Sequence, residues 1–211
     1  MDEDGDIEGE SGGRWDRARR SRSGRPWLMP FLTIVVVPIL IGAVVLLVLG
    51  RGVGFEAVRR LTVRKFPDIR WISTSELARW REDSSRAQPV LLDARTSVEY
   101  QVSHLRDAVL DDAARPSLRP LRGLPQNAPI VVYGSVGYRG ARLAWWLQRQ
   151  GYADVRNLTS GIFQWANEGR PLFRDGRPTA QVHPYDQRWG FLLQSRYKAE
   201  APDLRTPFRA P

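Results

Sequence analysis

Short apolar runs alternate with longer segments of helical spacing between residues 67 and 173. Such runs, bounded by polar or turn-forming residues, are typical of strands buried inside a sheet. The predicted strands cover residues 69–72, 89–94, 108–110, 129–133 and 155–158. Strands that alternate with helices favour a parallel α/β sheet covered by helices on both faces.

Helix starts are marked by a repeated local motif. Ser73 is followed three residues later by Glu76, and Thr96 by Glu99. This spacing is the capping box, in which the first side chain and the later carboxylate satisfy each other's backbone N–H groups. Two further helices are predicted over residues 139–150 and 161–168, each followed by a glycine that can end it.

The segment 27–50 carries no charged side chain. As a helix it would reach about 36 Å at about 1.5 Å per residue, which exceeds a hydrocarbon core of about 30 Å. We therefore expect a single-pass membrane protein that meets the lipid bilayer through residues 27–50. Similar numbers of basic residues flank the segment, so the side of the globular domain is undetermined. The closer packing of the arginines before it favours an inside N-terminus.

The remaining segments differ in composition from the α/β region. Residues 1–26 pass from acidic to arginine-rich with few apolar side chains, which predicts a disordered tail. Residues 51–66 are interpreted as a basic juxtamembrane linker. Residues 174–211 form a predicted C-terminal tail that either docks Trp189, Phe191 and Leu192 on the domain or binds a partner.

Composition excludes several kinds of chemistry. The chain has no cysteine, which excludes disulfides, thiolate metal sites and cysteine nucleophiles. Its two histidines are far apart, so no metal site is predicted. No glycine loop is followed by Gly-Lys-Ser/Thr, and no cofactor is expected. The formal net charge is +9 at pH 7, but no stretch interleaves basic and aromatic residues on one recognisable binding face, and we expect no nucleic-acid partner.

Two longer motifs resemble the rhodanese family. The first is VLLDARTSVEYQVSHLRDA at residues 90–108, and the second begins VVYGSVGYRGARLAWWL at residue 131. The resemblance covers residues 67–173, which we take as a rhodanese-like domain. It implies a five-stranded parallel sheet flanked by helices and a sulfurtransferase ancestry. It also implies that Asp93 and Arg95 support the active-site loop.

In active rhodaneses a cysteine opens a six-residue loop and carries sulfur as a persulfide. The equivalent loop consists of Gly134, Ser135, Val136, Gly137, Tyr138 and Arg139. The nucleophile position is therefore glycine, and no catalytic residue is assigned. Loop amides at the start of a helix can bind an anion, so the loop is a candidate oxyanion site. The alternative is a vacant relic that only connects strand to helix.

The resulting hypothesis is a membrane-anchored, catalytically inactive rhodanese-like domain. It would bind a small oxyanion or a protein partner through the loop and act as a scaffold or regulatory module. The alternative is an enzyme, either a sulfurtransferase that relies on a partner's thiol or a hydrolase that uses Ser135. A serine nucleophile needs a neighbouring base, and His104 is the one histidine within residues 67–173, at a position that is structural in the family.

Overall fold

The computed structural model describes residues 32–200 of the chain. A π-helical turn, Leu32–Val36, precedes the first helix. The helices are α1 Val37–Lys65, α2 Thr74–Glu82, α3 Ser97–Val102, α4 Tyr138–Arg149, α5 Gly161–Asn167 and α6 Gln187–Gly190. The strands are β1 Arg70–Ile72, β2 Val90–Asp93, β3 Val109–Leu110, β4 Ile130–Tyr133, β5 Val155–Leu158, β6 Leu172–Arg174 and β7 Arg177–Thr179. Two 3-10 turns lie at Arg119–Leu121 and Ser195–Tyr197.

Five strands form one parallel sheet in the order β1-β5-β4-β2-β3. The predicted sheet of the rhodanese resemblance is therefore confirmed. Strand β4 lies at its centre, and all four of its residues are buried. A separate antiparallel pair, β6 and β7, follows the last helix of the α/β region. Because parallel strands end at the same edge, the segments after β2 and β4 lie side by side.

Both predicted capping boxes are present and fix the starts of two helices. The Ser73 hydroxyl accepts a hydrogen bond from the Glu76 backbone N–H, and the Glu76 carboxylate accepts one from the Ser73 N–H. Thr96 and Glu99 repeat the arrangement at the start of α3. Glu76 is exposed, whereas Glu99 is buried. The second box is therefore the one that places a carboxylate inside the domain.

The expectation of a membrane-spanning helix is wrong. Within residues 32–200, none of the helices combines the length and the apolar character that crossing a bilayer requires. Helix α1 instead continues without a break into a charged half that packs on the domain through Phe55, Val58 and Thr62. The bilayer contact proposed for residues 27–50 and the membrane location are contradicted with it. Residues 27–31 of that segment lie outside the described residues.

The other predicted segments also differ from their sequence description. Residues 51–65, expected to form a linker, belong to α1. The compact unit that contains the sheet begins at Leu47, before the predicted domain start. In the C-terminal region Leu192 is fully buried, while Phe191 is half exposed. The tail 1–26 and residues 201–211 lie outside the described part of the chain, and the domain boundaries stay predictions.

Candidate functional site

The loop predicted as the site joins β4 to α4. Its carbonyl groups accept hydrogen bonds from neighbouring elements. The Gly134 oxygen accepts from the Ile162 N–H at 2.9 Å, and the Ser135 oxygen accepts from the Phe163 N–H at 3.1 Å. The Gly137 oxygen accepts from the Asn157 amide at 2.9 Å. Gly137 has φ of 104° and serves as the N-cap of α4, a conformation that favours glycine. These bonds fix the loop against β5 and α5.

Gly134, at the position of the missing nucleophile, is closely packed. A Cβ atom added there would lie 3.2 Å from the Gly140 nitrogen and 3.3 Å from the Arg139 Cβ. A side chain at this position therefore requires the first turn of α4 to shift by a few tenths of an ångström. Glycine fits at residue 134 without this shift.

A buried carboxylate lies at the centre of the site. Glu99 accepts hydrogen bonds from both terminal nitrogens of Arg139 at 2.6 Å and from the Ser135 hydroxyl at 3.0 Å. Arg139 also donates to the Ser135 oxygen at 2.8 Å. The Glu99 side chain is 2% exposed and that of Arg139 20%. Three loop and helix side chains are therefore joined into one network below the loop.

The network keeps Glu99 ionised. Burial opposes its ionisation, but the hydrogen bonds and charge of Arg139, with help from Arg95 and Thr96, outweigh burial and lower the pKa of Glu99 to about 2. Such a carboxylate is a weak base near neutral pH. Glu99 therefore cannot deprotonate the Ser135 hydroxyl that it binds. The hydrolase alternative consequently gains no general base from Glu99.

His104 does not serve as that base either. Its ring stacks on Tyr100 with centroids 4.1 Å apart, and its Nδ1 lies 3.0 Å from the Leu105 oxygen. Its backbone pairs with that of Phe173. These contacts assign His104 to the packing between α3 and β6.

Asp93 and Arg95 form a fully buried ion pair at the end of β2. Arg95 donates to Asp93 at 2.7 Å through Nη2 and at 2.9 Å through Nε, and to the Ser103 oxygen at 2.5 Å. Its guanidinium carbon lies 5.9 Å from the centre of the Tyr133 ring, and Tyr133 directly precedes the loop. The pair packs beneath the loop, and its supporting role remains a prediction.

The C-terminal segment covers the loop, a contact that the sequence did not reveal. The Tyr185 ring lies over the Arg139 guanidinium at 4.6 Å. A cavity of about 120 Å³ lies beside this contact, and it is lined by Val58, Ser135, Val136, Tyr138, Arg139, Tyr185 and Trp189. His183 faces the same network: burial lowers its pKa, Glu99 opposes this, and Arg95 and Arg139 add to the lowering.

Sequence reasoning missed the central role of Glu99, which it interpreted as a helix cap. The signal was the second capping box, whose glutamate falls in the first family motif while Arg139 falls in the second. The Trp189 docking was foreseen, but Tyr185 and His183 were not singled out. Within residues 32–200, no group of three or more His, Cys, Asp or Glu residues is placed to hold a metal ion.

Comparison with known proteins defines the class of the domain. Residues 73–168 match the family model of the rhodanese-like domain, and this part of the chain is a rhodanese-like domain. Among solved structures, the thiosulfate sulfurtransferase of Pseudomonas aeruginosa is 28% identical, with a TM-score of 0.44 over 51% of this chain and 20% of that one.

Curated relatives carry the name of a tRNA-modifying enzyme. The tRNA uridine(34) hydroxylase of Shouchella clausii is 31% identical over 99 residues, which are 42% of this chain and 29% of that protein. The protein of the same name from Streptococcus thermophilus is 35% identical over 109 residues, or 47% and 31% of the two chains. The chain therefore spans about a third of the length of these relatives.

These names contradict two expectations from the sequence. The relatives are named as enzymes, so the expectation of a catalytically inactive scaffold that is not an enzyme is wrong. The name includes tRNA, so the expectation of no nucleic-acid partner is wrong as well. The absence of a cysteine, on which the inactive scaffold rested, excludes one nucleophile but not every reaction.

Proposed function

We propose that this protein acts on tRNA as a tRNA-modifying enzyme. The observation that carries the proposal is its 31% and 35% identity to proteins named tRNA uridine(34) hydroxylase. The formal net charge of +9 at pH 7 supports it, because positive charge drives association with a phosphate backbone. In this proposal the excess of basic residues attracts the RNA backbone.

We place the contact with the RNA at the loop Gly134, Ser135, Val136, Gly137, Tyr138 and Arg139. The loop ends at the N-terminus of α4, a helix of twelve residues, whose N–H groups favour a phosphate oxygen. Arg139 is neutralised by Glu99. The attraction for an anion therefore comes from backbone N–H groups and the helix dipole more than from the arginine charge.

The proposed chemistry does not pass through a persulfide, because the chain contains no cysteine to carry the sulfur. Ser135 supplies a hydroxyl at the cavity, and Glu99 holds both Ser135 and Arg139 in position. In this proposal Asp93 and Arg95 keep the end of β2 rigid, and this rigid end supports Ser135, Glu99 and Arg139. The substrate is bound by the loop and by the side chains that line the cavity.

The proposal is tested by equilibrium binding of fluorescently labelled tRNA to the full chain. We expect binding that weakens steeply as salt rises, since each neutralised phosphate releases counterions. Arg139→Gln leaves the Glu99 carboxylate uncompensated beside the loop, where its charge repels phosphate. It is therefore expected to weaken binding more than Arg149→Gln, a matched arginine in the last turn of the same helix. No binding of tRNA at low salt would contradict the proposal. If the two substitutions weaken tRNA binding equally, the loop is not the contact with the RNA.

A further inference from the structure

The cavity beside the loop has the size of a single small ring. Its volume of about 120 Å³ is well below the roughly 300–1,000 Å³ of pockets that hold drug-sized ligands. It lies within the compact unit that begins at Leu47, and its lining comes from α1, the loop and the C-terminal segment. A whole nucleotide would not fit inside it, whereas one planar base would.

The walls of the cavity suit a flat, unstacked ring. Tyr138, Tyr185 and Trp189 contribute aromatic surface, and Val58 and Val136 contribute aliphatic surface. Proteins that read single-stranded RNA stack unpaired bases on aromatic rings and on arginine planes. Arg139 is held flat by its two bonds to Glu99, with Tyr185 over its face. The network thus fixes a planar cation at the wall of the cavity.

The polar groups of the cavity have hydrogen-bonding capacity left. A hydroxyl has one proton and two lone pairs. Ser135 donates to Glu99 and accepts from Arg139, which leaves one lone pair. Tyr138 accepts from the Lys65 ammonium at 2.7 Å, which leaves its own proton free to be donated. One acceptor and one donor match the edge of a pyrimidine, where an N–H or amino group neighbours an acceptor atom.

Tyr185 forms the outer wall of the cavity on an exposed turn. Its φ of 67° lies in the left-handed region, which a tyrosine rarely adopts, and its side chain is 45% exposed. Its N–H donates to His183 Nδ1 at 3.0 Å. Anchors lie on both sides: Val182 is fully buried, and Asn167 binds the backbone of Leu192 and Gln194. Only the crest of the segment has to move to admit a ring.

We infer that this cavity receives one unpaired pyrimidine base of the RNA, which packs against the aromatic rings of Tyr185 and Trp189 and lies beside Arg139. The inference rests on the proposed tRNA function and adds to it the part of the RNA that enters the protein. The phosphate next to the flipped base would then lie at the loop amides, directly beside the cavity. The loop would then bind the phosphate of the nucleotide whose base enters the neighbouring cavity.

The test uses the full chain and a tRNA anticodon stem-loop with uridine or an abasic residue at the position that the relatives' name specifies. We expect the uridine RNA to bind at least about 5-fold more tightly than the abasic RNA, because stacking contributes about 1–3 kcal/mol per base. Tyr185→Ala should abolish that difference. Phe191→Ala, an exposed aromatic of the same segment that does not line the cavity, should preserve it.

Each outcome decides one point. If tRNA binds but the uridine and abasic RNAs bind equally, the base cavity is wrong and the proposed function stands. If the unaltered chain binds no tRNA, the proposed function fails and the inference with it. Tyr185 is 45% exposed, so its substitution should not unfold the protein, and circular dichroism checks this. A folded Tyr185→Ala protein that still prefers uridine would also overturn the inference.

Discussion

Substituting Glu99 by glutamine removes the charge at the centre of the network and keeps the size of the side chain. The pKa of Glu99 is lowered from 4.5 to about 2, which corresponds to about 3 kcal/mol in favour of the folded state with Glu99 ionised. Both partners are mostly buried, at 2% and 20% exposure, so solvent screens them little. We expect Glu99→Gln to lower the free energy of unfolding by about 3 kcal/mol at neutral pH.

The pH dependence follows from the direction of the shift. A carboxylate with a lowered pKa stabilises the fold above its ordinary value of 4.5, and this contribution is lost as pH falls towards 2. The difference between the unaltered chain and Glu99→Gln should therefore shrink from about 3 kcal/mol at pH 7 to nearly zero at about pH 2. Urea unfolding followed by tryptophan fluorescence at several pH values measures it.

The chain supplies its own control in the first capping box. Glu76 occupies the same position in α2 as Glu99 in α3, but it is exposed and binds only Ser73. Glu76→Gln should therefore have a small effect at every pH. If both substitutions destabilise equally at pH 7, or if the effect of Glu99→Gln does not change with pH, the buried network does not stabilise the site as argued.

Three further predictions test the surroundings of the site. Asp93→Ala leaves a fully buried arginine without its partner and should cost about 3–5 kcal/mol in denaturant unfolding; a loss below about 1 kcal/mol would contradict the ion pair. Leu192→Ala should cost about 2–5 kcal/mol because the residue is fully buried, whereas Phe191→Ala, half exposed, should cost far less; equal costs would show that the C-terminal segment is not docked. Gly134→Cys should fold and gain one sulfur from thiosulfate, with release of sulfite, in intact-mass spectra. Gly140→Ser should be strongly destabilised, since its Cβ would collide with a buried asparagine oxygen; a stable Gly140→Ser, or a folded Gly134→Cys that gains no sulfur, would contradict the loop geometry.

Local sequence patterns predicted the structural elements that depend on residues close together in the chain. The capping boxes at Ser73 and Thr96 and the buried strand β4 depend on neighbouring residues and on short apolar runs. The family motifs added the expectation that five strands form one parallel sheet, which short-range patterns alone do not specify, whereas the strand order is known only from the structure. These parts of the fold follow from the amino-acid sequence alone.

Contacts between distant residues do not follow in the same way. Glu99 and Arg139 are 40 residues apart, and each alone looks like an ordinary helix residue. Tyr185 reaches Arg139 from a segment without a regular apolar rhythm. The apolar composition of residues 27–50 suggested a boundary near residue 50, whereas helix α1 continues to Lys65 and packs through Phe55 and Val58. Tertiary packing determines the Glu99–Arg139 pair, the position of Tyr185 and the extent of helix α1.

The most direct test of the proposed function is nucleoside mass spectrometry of tRNA from cells with and without this protein. We predict that a modified uridine is lost when the gene is deleted. It should return with the unaltered chain and not with a folded Arg139→Gln variant. Identical nucleoside profiles in all of these strains would contradict the central claim that the protein modifies tRNA.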